Sequence, residues 1–256
     1  MSRTLIEWTD YSINPVKGLC PIACDYCYAR RMYNRFKWNP ELRFDPTVFN
    51  NLPTKPAKVF VGSTMELFLP ECKAWLEKTF DLIKPYKWLT FQFLTKQPQN
   101  LPAFSPFPDH CYVGVTATNR QAYLNATGAN GLDGIHAKVK YISLEPLLEE
   151  IMPSEYRLKG INWIIIGALT GTKWELLEIS QKWNIANINQ GLKMMPYGKK
   201  WTLQPKIEWV RGIVEAADKA GAKVFLKESL YELFMDVPHS DLFWEDMSHL
   251  RQEFPT

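Results

Sequence analysis

The chain has 256 residues, of which 46% are hydrophobic and 22% charged. That is ordinary globular usage; it excludes a disordered or low-complexity chain and suits one large domain or two small ones. A net charge of +3 with a pI near 8.5 falls short of the balance that by itself marks a nucleic-acid binder.

The opening "MSRTLIEWTD" has no apolar core of a signal peptide. A weak first strand is expected within residues 12–18. Clearer strands follow at 58–62, 88–94, 111–116, 139–144, 162–167 and 222–227. These runs are rich in Val, Ile and Phe and scarcely alternate, the mark of strands buried on both faces of a parallel sheet. Between them, "PECKAWLEKTFDLIKPY" sets Cys72, Leu76, Phe80 and Ile83 on one helical stripe with Pro70 at its start. "QPKIEWVRGIVEAADKAG" stripes Ile207, Val210, Val214 and Ala217 and stops at Gly221. Strands alternating with helices imply right-handed βαβ units. The expectation is an α/β fold, a partial or complete parallel β/α barrel over residues 1–228, with a doubly wound sheet as the alternative. Residues 172–204 read as an insert or lid, and residues 229–256 as a helical tail that either caps the barrel or meets a protein partner.

The longest wholly apolar run, "WIIIGAL", is far shorter than the roughly 20 residues that span a bilayer. The five cysteines are odd in number and three are clustered, which argues against a disulfide framework and for a reducing compartment. A soluble cytoplasmic protein is expected.

"GLCPIACDYCYARR", residues 18–31, holds Cys20, Cys24 and Cys27. Closely spaced thiolates make one site for a soft metal. Structural zinc normally takes four ligands. A fourth from Cys72 or Cys111 conflicts with their places on a helix stripe and at a strand start, where a free cysteine is a small core residue. A cubane iron–sulfur cluster usually takes four cysteines; with three, one iron stays open to a small molecule. Both metals remain open at this point. The triplet follows the first strand, so it lies on a loop at the strand's C-terminal end, the face that carries active sites in β/α barrels.

The spacing C-x3-C-x2-C, with aromatic Tyr26 before the third cysteine, resembles the radical S-adenosylmethionine (SAM) superfamily. The blocks "IEWTDYSINPVKGLC", "CDYCYARR", "VFVGSTMELF", "TFQFLTKQP", "YVGVTATN", "YISLEPLL", "INWIIIGALTG" and "AGAKVFLKE" follow in order. Together, over residues 5–228, they look like a phage-associated radical SAM-like family of unknown function. The resemblance implies a 4Fe–4S cluster on the three cysteines, with SAM chelated to the open iron. An external electron donor would drive cleavage of SAM to methionine and a 5′-deoxyadenosyl radical, which takes hydrogen from a substrate. The protein's task is then to bind, orient and exclude water.

The same resemblance assigns the strand ends. Ser63, Thr64 or Glu66 would meet the amino group of SAM, although Ser63 or Thr64 also suits a helix N-cap. Lys96 would hold the SAM carboxylate or a substrate phosphate, and Thr116 and Asn119 would reach the ribose. Glu145, held before Pro146, would aim its carboxylate across the mouth, and Gly167 and Ala168 would let backbone approach the base. Lys96 and Glu145 are the candidate catalytic groups. The stretch "YARRMYNRFKWNPELR" sets Arg30, Arg31, Arg35, Lys37 and Arg43 against Glu41, with Tyr33, Phe36 and Trp38 interleaved. Cations attract phosphates and aromatics stack bases, which suggests a nucleic-acid or nucleotide substrate; a solvated helix is the plainer account. A non-catalytic nucleic-acid-binding module or adaptor with a structural zinc or iron–sulfur site is the rival reading.

Overall fold

The apolar runs do become parallel strands. The computed structural model describes residues 2–183, 192–234 and 250–255. These fall into two units, residues 1–115 with 128–140, and residues 116–127 with 141–256.

The first unit begins with β1 (Ser2–Arg3), β2 (Tyr11–Ile13) and β3 (Val16–Lys17). It continues through α1 (Tyr28–Phe36), β4 (Arg43–Phe44), β5 (Ala57–Val61), α2 (Lys73–Ile83), β6 (Leu89–Thr95) and β7 (Cys111–Thr116). β2, β5, β6 and β7 pair in parallel in that order, and β1 adds antiparallel to β2. Phe93 of β6 meets Phe80 of α2 at 5.1 Å and Phe68 at 6.4 Å between ring centroids. The weak first strand divides in two. Asn14-Pro15 lies between β2 and β3, and proline has no N–H for a ladder. β3 instead pairs antiparallel with β4.

The second unit carries α3 (Arg120–Ala126), β8 (Val139–Leu144), α4 (Glu155–Leu158) and β9 (Trp163–Ile166). Then come β10 (Leu169–Gly171), α5 (Lys173–Lys182), β11 (Lys193–Tyr197) and β12 (Lys200–Gln204). α6 (Ile207–Ala220), β13 (Lys223–Leu226) and α7 (Tyr231–Phe234) complete it. β8, β9 and β13 are parallel, with Trp163 packed 5.5 Å from Tyr141 and 6.0 Å from Phe225. α6 ends at Gly221, whose φ of 74° is the left-handed cap that glycine takes without strain.

Among the described residues seven parallel strands with helical crossovers make a partial β/α barrel, one of the outcomes that the alternation of strand and helix patterns allows. Residues 172–204 supply α5 and an antiparallel hairpin, β11–β12, that pairs with β10; residues 184–191 lie outside the described residues. The tail begins helically at α7, and residues 235–249 are likewise outside the described residues. Its last part runs extended beside β13: Leu226 N donates to Arg251 O at 2.8 Å, and Glu253 N to Val224 O at 2.8 Å. Those tail residues are committed inside the chain, since Arg251 pairs with Asp218 and Glu253. Among the described residues no helix is long and apolar enough to cross a membrane.

Candidate functional site

The three clustered cysteines lie on a single excursion of the first unit, residues 18–42, clasped at its base. The β3–β4 ladder pairs Val16 with Phe44 and Lys17 with Arg43. Leu19 N extends it to Pro40 O at 2.9 Å, and Lys17 forms an ion pair with Asp45. Gly18 opens the excursion at φ 128°, where a Cβ would lie 2.7 Å from Glu41 O. Only glycine fits that approach. Ala23, between Cys20 and Cys24, also has positive φ, 53°, a conformation that costs an L-residue about 1–2 kcal/mol.

Cys27 is the N-cap of α1 and accepts from Arg30 N at 3.4 Å. Burial pushes the Cys24 thiol up; the Lys96 ammonium works against that, while Cys27 and Cys20 add to it. Cys24 therefore lies within electrostatic reach of the other two thiols. Even so, among the described residues no three His, Cys, Asp or Glu side chains are gathered as a ready metal grip. Cys72 and Cys111 are wholly buried, and burial pushes their thiols up to about 11 and about 12. Neither is poised to become a thiolate ligand.

Arg30 tests whether an anionic metal cluster suits the loop. Its Nη2 donates to Cys20 O at 2.5 Å, tying the first cysteine to the helix that starts at the third. Its Nε is buried and has no acceptor among the described residues. A buried guanidinium donor without an acceptor is costly, and an anionic group beside it would remove the cost. Three thiolates around iron supply such a group. The donor set and this orphaned donor both fit a cluster.

The strand ends of the first unit are more constrained than their sequence suggests. Ser63 and Thr64 cap no helix. Asn14 holds them, with Nδ2 3.2 Å from Ser63 Oγ and Oδ1 accepting from Thr64 N at 3.0 Å. Tyr28 donates its hydroxyl to Ser63 O at 2.9 Å, joining this turn to α1. Glu66 is buried, and its carboxylate accepts from Phe68 N at 3.0 Å, Thr95 Oγ1 at 2.7 Å and Lys96 N at 2.8 Å. It braces the ends of β5 and β6. The Lys96 ammonium lies 5.9 Å from the Tyr26 ring centroid, so Lys96, Tyr26 and Cys24 gather together.

In the second unit Thr116 ends β7 and is buried. Asn119 is the N-cap of α3, its Oδ1 accepting from Ala122 N at 2.8 Å. Glu145 forms a 2.5 Å ion pair with Lys227. The pair straddles Gly167, where a Cβ would lie 3.1 Å from both Glu145 Cγ and Lys227 Cδ. Ala168 N donates to Ser229 Oγ at 3.1 Å, while Ser229 O accepts from buried Gln204 at 2.7 Å. Asn14, Gln204 and Ser229 were not singled out from the sequence, and nothing in their local spacing marks them. For Arg30 a local signal existed: it stands three residues after a cysteine that begins a helix.

The fold is the radical SAM-type partial barrel. It matches a Cys-to-Ala variant of spore photoproduct lyase solved with a dinucleoside spore photoproduct, at TM-score 0.55 and 13% identity, over 88% of this chain and 79% of that one. A Tyr-to-Phe variant of the same lyase matches at TM-score 0.55 and 14% identity, over 87% and 78%. At such identities the likeness is one of fold. No curated protein sequence matches. The chain belongs to the family described as protein of unknown function (DUF5131), whose model matches residues 3–202.

Proposed function

We propose that the protein is a radical SAM enzyme whose 4Fe–4S cluster is held by Cys20, Cys24 and Cys27, with SAM on the open iron. The observation that carries the reading is the braced cysteine loop with its orphaned Arg30 Nε, set on a partial barrel of this type. When bound, the cluster and SAM supply one-electron cleavage of a sulfonium and a radical that abstracts hydrogen, with electrons from an external donor. The chain's own residues do the rest. Arg30 fixes the loop, and its Nε–H would be available to an anionic centre held there. Lys96 offsets negative charge beside Cys24 and is available to a carboxylate. The turn of Ser63 and Thr64, pinned by Asn14, presents polar groups at the end of β5. In the second unit Lys227 Nζ donates to Glu145 Oε1 at 2.5 Å, a pair of groups suited to acid–base work.

The substrate we favour is nucleic acid or a nucleotide. Its support is the basic and aromatic stretch after the cysteines, and a fold neighbour solved with a dinucleoside photoproduct. Anaerobic reconstitution tests the core of the reading. It should give about four irons per chain. Cys20→Ala, Cys24→Ala or Cys27→Ala should abolish loading, while Cys72→Ala should keep it. Dithionite with SAM should then release 5′-deoxyadenosine. A colourless zinc protein that cleaves no SAM would replace this reading with a structural zinc module.

A further inference from the structure

Residues 34–41 are exposed without a break, and two of them are large aromatics. Phe36 is 53% and Trp38 43% exposed. Exposed aromatics are usually scattered and mobile, but these two are stacked, with centroids 5.6 Å apart and planes 22° from parallel. Lys37 between them takes a left-handed turn at φ 52°, an unusual conformation for a non-glycine, and this folds Trp38 back over the end of α1. Trp38 N donates to Tyr33 O at 3.3 Å, and the Tyr33 ring meets the indole edge-on at 5.2 Å. Tyr33 is itself buried and accepts from Gly18 N at 2.8 Å. The shelf is therefore pre-set, and anchored to the residue that opens the cysteine loop.

Its charge is predominantly positive. The Arg35 guanidinium sits 5.3 Å from the Phe36 ring centroid. Lys37 and Arg43 are exposed, and among the described residues Arg43 donates to the carbonyls of Asn39 and Glu41. Glu41 is the sole acid in residues 28–44. Arg30 is not part of this surface, because it is turned to Cys20 O. A flat stacked aromatic pair rimmed by cations that form no ion pair among the described residues is the chemistry that stacks unpaired bases and contacts phosphates. A helical protein partner would want an apolar groove, and an acidic peptide has no use for the stack.

We infer that Phe36, Trp38, Arg35 and Lys37 form a docking shelf for single-stranded nucleic acid. The inference rests on the nucleic-acid reading above and names its surface. The test is fluorescence anisotropy of a labelled oligothymidylate against the full chain, over a salt series. An oligouridylate arm asks whether the sugar matters, and a duplex arm asks whether bases must be unpaired. Trp38→Ala should raise Kd about tenfold, the loss of one stacked base. Arg35→Gln with Lys37→Asn should flatten the log–log salt slope by about 0.7 per phosphate lost; the asparagine keeps the left-handed turn available. Circular dichroism and iron content should match the parent. Equal binding of duplex and single strand, or Trp38→Ala that binds as the parent does, overturns the shelf. If SAM cleavage persists while the shelf fails, only this inference falls; if cleavage and iron fail while the oligonucleotide still binds, only the enzyme reading falls.

Discussion

Arg30 gives the sharpest prediction, because its two possible roles have opposite signatures. Arg30→Gln removes a 2.5 Å charge-assisted bond to Cys20 O and the buried Nε donor. Such bonds contribute about 1.5–3 kcal/mol. A loop that loses this brace should populate its ligand-ready form roughly ten- to a hundredfold less often. Three cysteines should remain, so loading should weaken rather than vanish. The assay is iron titration of the apo protein under argon, followed by the charge-transfer absorbance of the cluster, beside circular dichroism to show that the fold persists. Arg30→Lys should rescue little, since an ammonium cannot offer both Nη2 and Nε in one plane. If Arg30→Gln loads iron with parental affinity and instead flattens the salt dependence of oligonucleotide binding, the brace is refuted and Arg30 belongs with the phosphate contacts.

Gly167→Ala would push a methyl to 3.1 Å from Glu145 Cγ and Lys227 Cδ; overpacking of this kind costs about 1–3 kcal/mol, which should lower Tm by roughly 2–4 °C per kcal/mol. An unchanged Tm would mean the ion pair yields freely and is not held over the strand end. Asp45 predicts an acid limb. Its hydrogen bond from Lys17, with a second from Thr47, holds its carboxyl down to about 2. The folded value lies below the unfolded one, so this stabilisation is complete above about pH 4 and is lost as pH falls through about 2. For a partly exposed pair it should amount to about 1 kcal/mol. Urea midpoints at pH 5 and pH 2.5 should converge in Asp45→Asn relative to the parent, and parallel curves would show that the clasp at the base of the cysteine loop is electrostatically idle.

What was legible in the sequence follows from how far each signal reaches along the chain. The strands at 111–116 and 139–144 were read to the residue, because a doubly buried strand declares itself in an unbroken apolar run. The cysteine triplet and Gly221 are likewise local patterns. The first strand was blurred because Asn14-Pro15 breaks it, and Asn14 then works across 49 residues on Ser63. Such partnerships depend on the closed fold and leave no periodic trace. The end of the tail was expected to be helical from its composition, yet Leu250–Phe254 runs extended, since the open edge of β13 offers hydrogen bonds that a short helix could not replace.

Glu66 shows how tertiary partners change the meaning of a residue chosen from its position. A carboxylate at the end of a barrel strand invites a role in binding an ammonium group, and its charge suits that role. Its two oxygens offer about four lone-pair sites. Oε1 takes two donors, Phe68 N and Thr95 Oγ1, and Oε2 takes Lys96 N. One site on Oε2 is left over. A carboxylate so held is rigid, and it fixes the backbone from which the Lys96 side chain reaches toward Tyr26 and Cys24. Its larger effect on ligands therefore passes through Lys96. Loss of Glu66 would free the strand end and let the ammonium drift from the cysteine loop, whether or not the last lone pair ever meets a ligand.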